Sequence, residues 1–371
     1  MKKIHSILFL LVLMFCVPLH AKKTSLKYVD AQNFRIVNRG WKDQVPAYTR
    51  VPDARLHLLR PELKYGSQSS TGIGIRFRTN SKTIGARYNL KYDFGITWMA
   101  YTGIKGSDLY MLDGEDWRYI ATARPIKDSI QDKVYIKTLD GEMREYLIYL
   151  PLYDGINWFE IGVDSTAVIE YPRVDNPKSS AKVLFYGTSV MQGGCACRVG
   201  MTQTTILQRR LGVECVNLGF SGEAKLWPEN AKMLADADDN IECIVLDPLM
   251  NNTKEMVDTL SEQFVRIIRE THPNTPIIMV EGEIQPHQEY DTHLREYNPL
   301  RNKYWEDCYK RLKKSGMKNL YFMYGGDYTG PDGDGTVDGD HLTDLGFVEY
   351  ANRIEPLLRK VLRKQKVTLK K

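Results

Sequence analysis

The sequence predicts two domains, a β-sandwich of the jelly-roll kind followed by a three-layer, flavodoxin-like α/β domain with a parallel sheet of about five strands. Three observations predict them. The 371 residues exceed what one small core organises. From about Lys27 to Pro172 apolar residues recur with period two, as in Ile73, Ile75 and Phe77 against Gly74, Arg76 and Arg78. From Val183 onward, short apolar runs alternate with stretches of helical period, the grammar of a parallel sheet covered on both faces.

In chain order, Lys2 and Lys3 precede an apolar run from Ile7 to Val17, followed by Pro18-Leu19-His20-Ala21. This reads as a cleavable secretory signal over residues 1–21: the run is too short to span a bilayer, and Ala21 suits a cleavage site. Export to the periplasm or beyond is expected. Leu13-Met14-Phe15 lacks the small residues that precede a lipidated cysteine, which argues against a lipoprotein through Cys16. No later stretch is long and apolar enough to cross a membrane, so no stable insertion is expected after cleavage. Five cysteines then remain, Cys195, Cys197, Cys215, Cys243 and Cys308; an odd number leaves at least one thiol unpaired or paired between molecules. Cys215 and Cys243 lie in apolar strands and read as core.

Residues 22–175 form the predicted sandwich. Further β-rich runs, Ile84 to Tyr88, Val134 to Ile136, Tyr146 to Leu150, Trp158 to Val163 and Ala167 to Tyr171, are separated by turn signals such as Asp113-Gly114, Asp140-Gly141 and Asp154-Gly155. No helical period is evident here. Trp41, Trp98 and Trp117 read as core first and as a sugar-stacking platform second. A polar, proline-containing stretch from Pro172 to Ser180 marks the boundary.

Residues 181–358 form the α/β domain, with strands at Val183 to Tyr186, Val213 to Leu218, Ile241 to Leu246, Ile277 to Val280 and Leu320 to Met323. The clearest helix spans Lys254 to Glu270, where Met256, Val257, Leu260, Phe264, Ile267 and Ile268 mark one face before His272-Pro273. A basic tail, 359–371, carries seven basic residues and no acidic one, and reads as a solvated, frayed terminus. Most of the net charge of +5 therefore sits at the chain ends, the body is mildly acidic, and nucleic acid is not an expected partner.

Ligands of such sheets gather at the carboxyl ends of the strands. There the first strand is followed by Ser189, the second by Gly219-Phe220-Ser221-Gly222, the third by Asp247-Pro248-Leu249-Met250-Asn251-Asn252, and the fifth by a long loop reaching Asp338-Gly339-Asp340-His341. Acyl transfer to water requires this inventory. A serine hydroxyl needs a base, His341; an imidazole needs an orienting carboxylate, Asp338; and a tetrahedral oxyanion needs donors, here the amides of Ser189 and Gly222 and the side chain of Asn251. Three other histidines compete. His272 reads as a helix-end residue, and His287 and His293 as flanking the loop after the fourth strand. The Asp332 to Asp340 run is similar to a calcium loop, but Thr343 stands where the glutamate belongs, so solvated turns are expected and no metal.

Gly187-Thr188-Ser189, Asn217 to Gly222, Asp247 to Asn251 and Asp338-Gly339-Asp340-His341 together resemble the four blocks of the SGNH (GDSL-like) hydrolase superfamily. Gly106-Ser107-Asp108-Leu109-Tyr110 is similar to the G-x-D-L-Y signature of the β-sandwich preceding one SGNH subfamily. The departures are Thr188 where many members carry aspartate and Met250 where proline is usual, the latter leaving Asn251 and Asn252 as alternatives with Asn251 favoured by position. The resemblance implies a serine esterase acting on small acyl, chiefly acetyl, esters of carbohydrates, without a cofactor or metal. Alternatives are a carbohydrate-binding protein with an inactive SGNH half, or a lipase or thioesterase.

Overall fold

The computed structural model describes residues 25–175, 180–238 and 240–370. The segment read as a signal lies outside them, as do residues 176–179 of the boundary.

The first half contains two antiparallel sheets. One runs in the order β1 (Leu26–Asp30), β9 (Ile156–Asp164), β4 (Ile84–Leu90), β7 (Ile130–Ile136). The other runs β10 (Ile169–Glu170), β3 (Gly74–Thr79), β8 (Arg144–Tyr149), β5 (Ser107–Asp113), β6 (Asp116–Ala123), with β2 (Arg35–Val37) also on β3. Alternation explains what each face buries. In β8, Tyr146 and Ile148 enter the sandwich core with Phe77, Tyr88 and Phe159. The intervening Leu147 and Tyr149 enter a second core, shared with Val183, Phe185 and Val190 of the other half. This sheet is therefore covered on both sides, which is why Tyr146 to Tyr149 reads as an unbroken apolar run.

The second half is a five-stranded parallel sheet in the order β12 (Glu214–Gly219), β11 (Lys182–Gly187), β13 (Ile241–Asp247), β14 (Ile277–Val280), β15 (Leu320–Met323). This is the expected flavodoxin-like order. Val183 and Phe185 of β11 face one core, Leu184 and Tyr186 the other. On the second face, the helix Lys254–Thr271 buries Val257, Phe264, Val265 and Ile268; Thr253 caps its start, and His272, read from the sequence as a helix-end residue, caps its end. Trp41, Val51, Leu59 and Leu63 of the first half join that same core. The register sets Gly187 level with Gly219 and Asp247, so three loops open at one edge.

Two expectations need correction, and the core reading of the tryptophans holds for two of the three. The first half does contain helix: α1 (Pro61–Ser67), α2 (Tyr101–Ile104) and a 3-10 segment Asp53–Leu58. These pieces are shorter than the window in which a helical period shows, although Pro61 at the first turn of α1 was a legible start signal. Trp41 and Trp117 are buried core, as first read, whereas Trp98 is exposed. The basic tail is not frayed. The last helix, Asp344–Lys364, runs into it and buries Val361 and Leu362. Beyond the helix, the Lys370 amide donates to Leu211 O at 2.8 Å while its ammonium pairs with Asp116. Apolar positions, not the basic ones between them, decide where this segment goes.

All five cysteines described are free thiols; Cys197 is exposed and the other four, including Cys215 and Cys243, are buried. No helix among the described residues is long and apolar enough to cross a membrane.

Candidate active site

Ser189 stands where β11 stops and a short helix, α3 (Ser189–Gln192), begins. Thr188 is the cap residue, its hydroxyl accepting from Val190 N at 3.3 Å, and Gly193 ends the helix in the left-handed region. Capping thus falls to Thr188, which leaves the Ser189 hydroxyl to meet His341. Ser189 Oγ lies 2.9 Å from His341 Nε2, and His341 Nδ1 lies 2.8 Å from Asp338 Oδ2. The three-residue spacing of Asp338 and His341 closes a compact loop, because Asp338 Oδ1 also accepts from the His341 amide at 2.8 Å and the Asp340 amide at 3.0 Å. Partial burial pushes the Asp338 carboxyl up, but these hydrogen bonds outweigh it and hold the group below the ordinary aspartate value. It stays ionised opposite the ring. Such a chain lets a hydroxyl lose its proton as it attacks an electrophile.

The turn after β12 supplies donors. Phe220 N is taken by Gly187 O at 2.8 Å and Ser221 N by Gln192 Oε1 at 2.9 Å, whereas Gly222 N has no acceptor among the described residues. Gly222 has a φ of +75°, and a Cβ there would meet nothing within 4 Å; conformation, not space, calls for glycine. Ser189 N, at the first helical position, has no intrahelical acceptor. The two asparagines after β13 divide. The Asn252 carboxamide is consumed by the fold, accepting from Leu226 N at 2.9 Å and donating to Ala224 O at 2.8 Å and Pro248 O at 2.7 Å. Asn251 accepts from Ala224 N at 3.2 Å, and its amide nitrogen is left uncommitted. Position alone favoured Asn251; this hydrogen bonding separates the two.

The other histidines take separate places. His287 packs on the D-x-x-H loop, its ring 3.0 Å from where a Gly339 Cβ would stand, and His293 stacks on Tyr297 at 5.0 Å. Gln285, which the sequence did not single out, donates to Asp340 and is itself held by Asn298 Nδ2 at 2.9 Å. It braces the loop from a strand end with no motif to mark it.

Behind the loops lies buried acid. Tyr350 OH donates to Asp247 Oδ2 at 2.9 Å, and burial pushes the Asp247 carboxyl up to about 7. Burial, with Asp247, Asp340 and Asp338 nearby, pushes Glu283 well above the carboxylate range. Because the folded value of Asp247 exceeds the unfolded one of about 3.9, its contribution favours folding at low pH and is lost as pH rises from about 4 to about 7. Asp247→Asn keeps an acceptor for Tyr350 and removes that loss. We expect it to gain on the wild type with rising pH, by about 4 kcal/mol at pH 8. Parallel Tm-against-pH curves for the two proteins would exclude this.

The G-x-D-L-Y segment proves to be a clamp between the halves. Asp108, fully buried, accepts from Arg198 Nη1 at 2.7 Å, Gly200 N at 2.9 Å and Thr122 Oγ1 at 2.6 Å. Tyr110 OH accepts from the same Arg198 nitrogen at 2.7 Å. A Cβ on Gly200 would fall 2.3 Å from Tyr110 OH, so only glycine allows this approach. The loop thus gripped follows α3, the helix that carries Ser189.

Comparison with known proteins agrees with this architecture. The GDSL-like lipase/acylhydrolase family matches residues 180–359, and the N-terminal domain of SGNH hydrolase-type esterases matches residues 26–169. A search of curated proteins finds no match. Among solved structures, a GDSL-like lipase from Bacteroides ovatus ATCC 8483 is 32% identical, with a TM-score of 0.87 over 94% of this chain and 100% of its own. A salicylyl-acyltransferase from a tetracycline biosynthetic pathway shares the fold at 18% identity, with a TM-score of 0.70 over 91% of this chain and 97% of its own. A family two carbohydrate esterase from Clostridium thermocellum, solved with cellohexaose, shares it at 12% identity and a TM-score of 0.57, over 79% and 93%. With the family matched over both halves and a relative aligned end to end, the chain belongs to the GDSL-like (SGNH) lipase/acylhydrolase family of esterases.

Proposed function

We propose that the protein is an exported serine esterase that removes small acyl groups, acetyl foremost, from a carbohydrate. The observation that carries the reaction is the hydrogen-bonded chain from Ser189 through His341 to Asp338. Ser189 Oγ attacks the ester carbonyl while His341 Nε2 takes its proton, and Asp338 holds the imidazole in position. The oxyanion is met by Ser189 N, Gly222 N and the Asn251 amide. His341 then returns the proton to the departing alcohol, and water, activated by the same imidazole, releases the acid and frees Ser189. Export rests on the charged and apolar character of residues 1–21.

Two features support a small acyl group and a sugar. Beside the Ser221 turn lies a cavity of about 190 Å³, lined among others by Tyr65, Phe94, Tyr153, Gln192, Phe220 and Ser221. A cavity of roughly 150 Å³ holds one benzene ring, so this one has room for a single ring or a short chain. Of the three tryptophans singled out in the sandwich, Trp98 is 53% exposed, and its carbonyl receives the Cys195 thiol just beyond α3 at 3.6 Å. It is the one available to stack on a sugar.

Hydrolysis of a p-nitrophenyl ester series tests the acyl preference; acetate should lead, and faster turnover of octanoate would indicate a lipase instead. For the alcohol side, Trp98→Ala should lower kcat/KM on an acetylated oligosaccharide roughly tenfold, the scale of one aromatic contact, while p-nitrophenyl acetate hydrolysis stays within about twofold. Equal losses on both substrates would remove Trp98 from sugar binding.

A further inference from the structure

Arg50 lies in the first half of the chain, 2% exposed, and forms no ion pair among the described residues. Its guanidinium donates through Nη1 to Gly219 O and through Nη2 to Gly66 O, and lies 4.6 Å over the Phe220 ring. Burial drives its pKa down to about 9. A cation taken out of water without a carboxylate is costly, and chains ordinarily pair it or dispense with it. The buried Arg76, by contrast, is matched by Glu145 at 3.3 Å.

The placement of Arg50 explains why it is kept. Gly219 and Phe220 begin the turn whose end presents the Gly222 amide, and Arg50 holds that turn from behind by its carbonyl and its ring. Tyr153, also from the first half, reaches the same place: its OH lies 3.5 Å from Ser189 O and beside Ser221. At rest no anion among the described residues is paired with this cation. The reaction creates one, the tetrahedral oxyanion on the carbonyl attacked by Ser189.

We propose that Arg50 is a positioning residue of the oxyanion hole whose counter-charge is the transition state itself. It fixes the Gly219–Gly222 turn and adds positive potential behind the Gly222 donor in a water-poor interior, where a fixed charge acts strongly on charge that develops. The inference rests on the serine-esterase reading above, and it gives the first half of the chain a part in the chemical step.

Arg50→Met keeps most of the apolar stem and removes the charge. The expected result on p-nitrophenyl acetate is a kcat lower by about 10- to 100-fold with KM within about threefold, the signature of an interaction made in the transition state. A trifluoromethyl ketone provides a readout that a packing role would not move. Its carbonyl carbon bonds to Ser189 Oγ as the serine proton passes to His341, leaving the charge on oxygen. Its affinity should fall by the same factor as kcat/KM, while the matching secondary alcohol, which cannot form the oxyanion, binds as to the wild type. Arg50→Lys decides the matter even where Arg50→Met does not fold. A lysine in this interior titrates below its ordinary range, so kcat relative to wild type should fall as pH rises through that value.

Wild-type kcat and ketone affinity in Arg50→Met, or a pH–rate profile of Arg50→Lys that parallels the wild type, would overturn the proposal. So would equal weakening of ketone and alcohol. Ser189→Ala, assayed alongside, separates the two levels: an inactive Ser189→Ala with an unimpaired Arg50→Met rejects the role of Arg50 alone, whereas an active Ser189→Ala rejects the esterase mechanism beneath it.

Discussion

Replacing Ser189 by alanine should lower kcat for p-nitrophenyl acetate by on the order of 10⁴-fold or more while the melting temperature barely changes. Both halves of this expectation come from the division of labour at the end of β11. The helix start is capped by the Thr188 hydroxyl, so the backbone there does not depend on Ser189. The Ser189 hydroxyl is bonded to His341 Nε2, and its loss removes the nucleophile without leaving a buried donor unpaired. Residual turnover would come from the oxyanion donors and binding alone, as in serine hydrolases stripped of their nucleophile. Circular dichroism and a thermal scan beside the assay make the outcome unambiguous. A variant that folds and retains wild-type kcat would place the nucleophile elsewhere.

Asp108→Asn should have the largest effect on stability. The carboxylate is fully buried and answers three donors, of which Arg198 carries a full charge and is itself four-fifths covered. The asparagine is nearly isosteric, but it offers one acceptor oxygen where two are used and leaves the Arg198 charge without an answer. Breaking a buried pair in this way costs about 3 kcal/mol or more. The loss should appear as a lower melting temperature, together with reduced kcat, because the loop released at Gly200 follows the helix bearing Ser189. An unchanged melting temperature would mean that the clamp does not join the halves.

Local rules made most of this molecule legible. Period-two alternation and β/α alternation are set by which face is buried, so they survive in the sequence and predict both the sandwich and the parallel sheet. Asp338 and His341 were readable because a three-residue loop closes on itself; Ser189 and Gly222 were readable because strand ends of a parallel sheet converge. What the sequence did not disclose depends on partners far along the chain. Asn251 and Asn252 differ only in how far the 224–226 backbone commits them, taking the oxygen alone of Asn251 but both ends of the Asn252 amide. Trp41 and Trp98 differ only in what the other half places over them. Arg50 carries no local sign of its role, since its acceptors are 16 and 169 residues away. The C-terminal basic run reads as solvated because its charges mask the apolar spacing of Leu358, Val361 and Leu362, which fixes it to the core.

The sheet that is buried on both sides has a consequence for how such a protein can change over time. Leu147 and Tyr149 serve the core around Ser189 from within a strand whose neighbours, Tyr146 and Ile148, serve the sandwich. Trp41 and Leu63 are likewise lodged in a core whose strands begin more than a hundred residues later. The front half is therefore not a detachable accessory that a lineage could exchange for another binding module. The two halves are held to drift together, and a graft that respects the boundary near residue 175 would still cut through two cores.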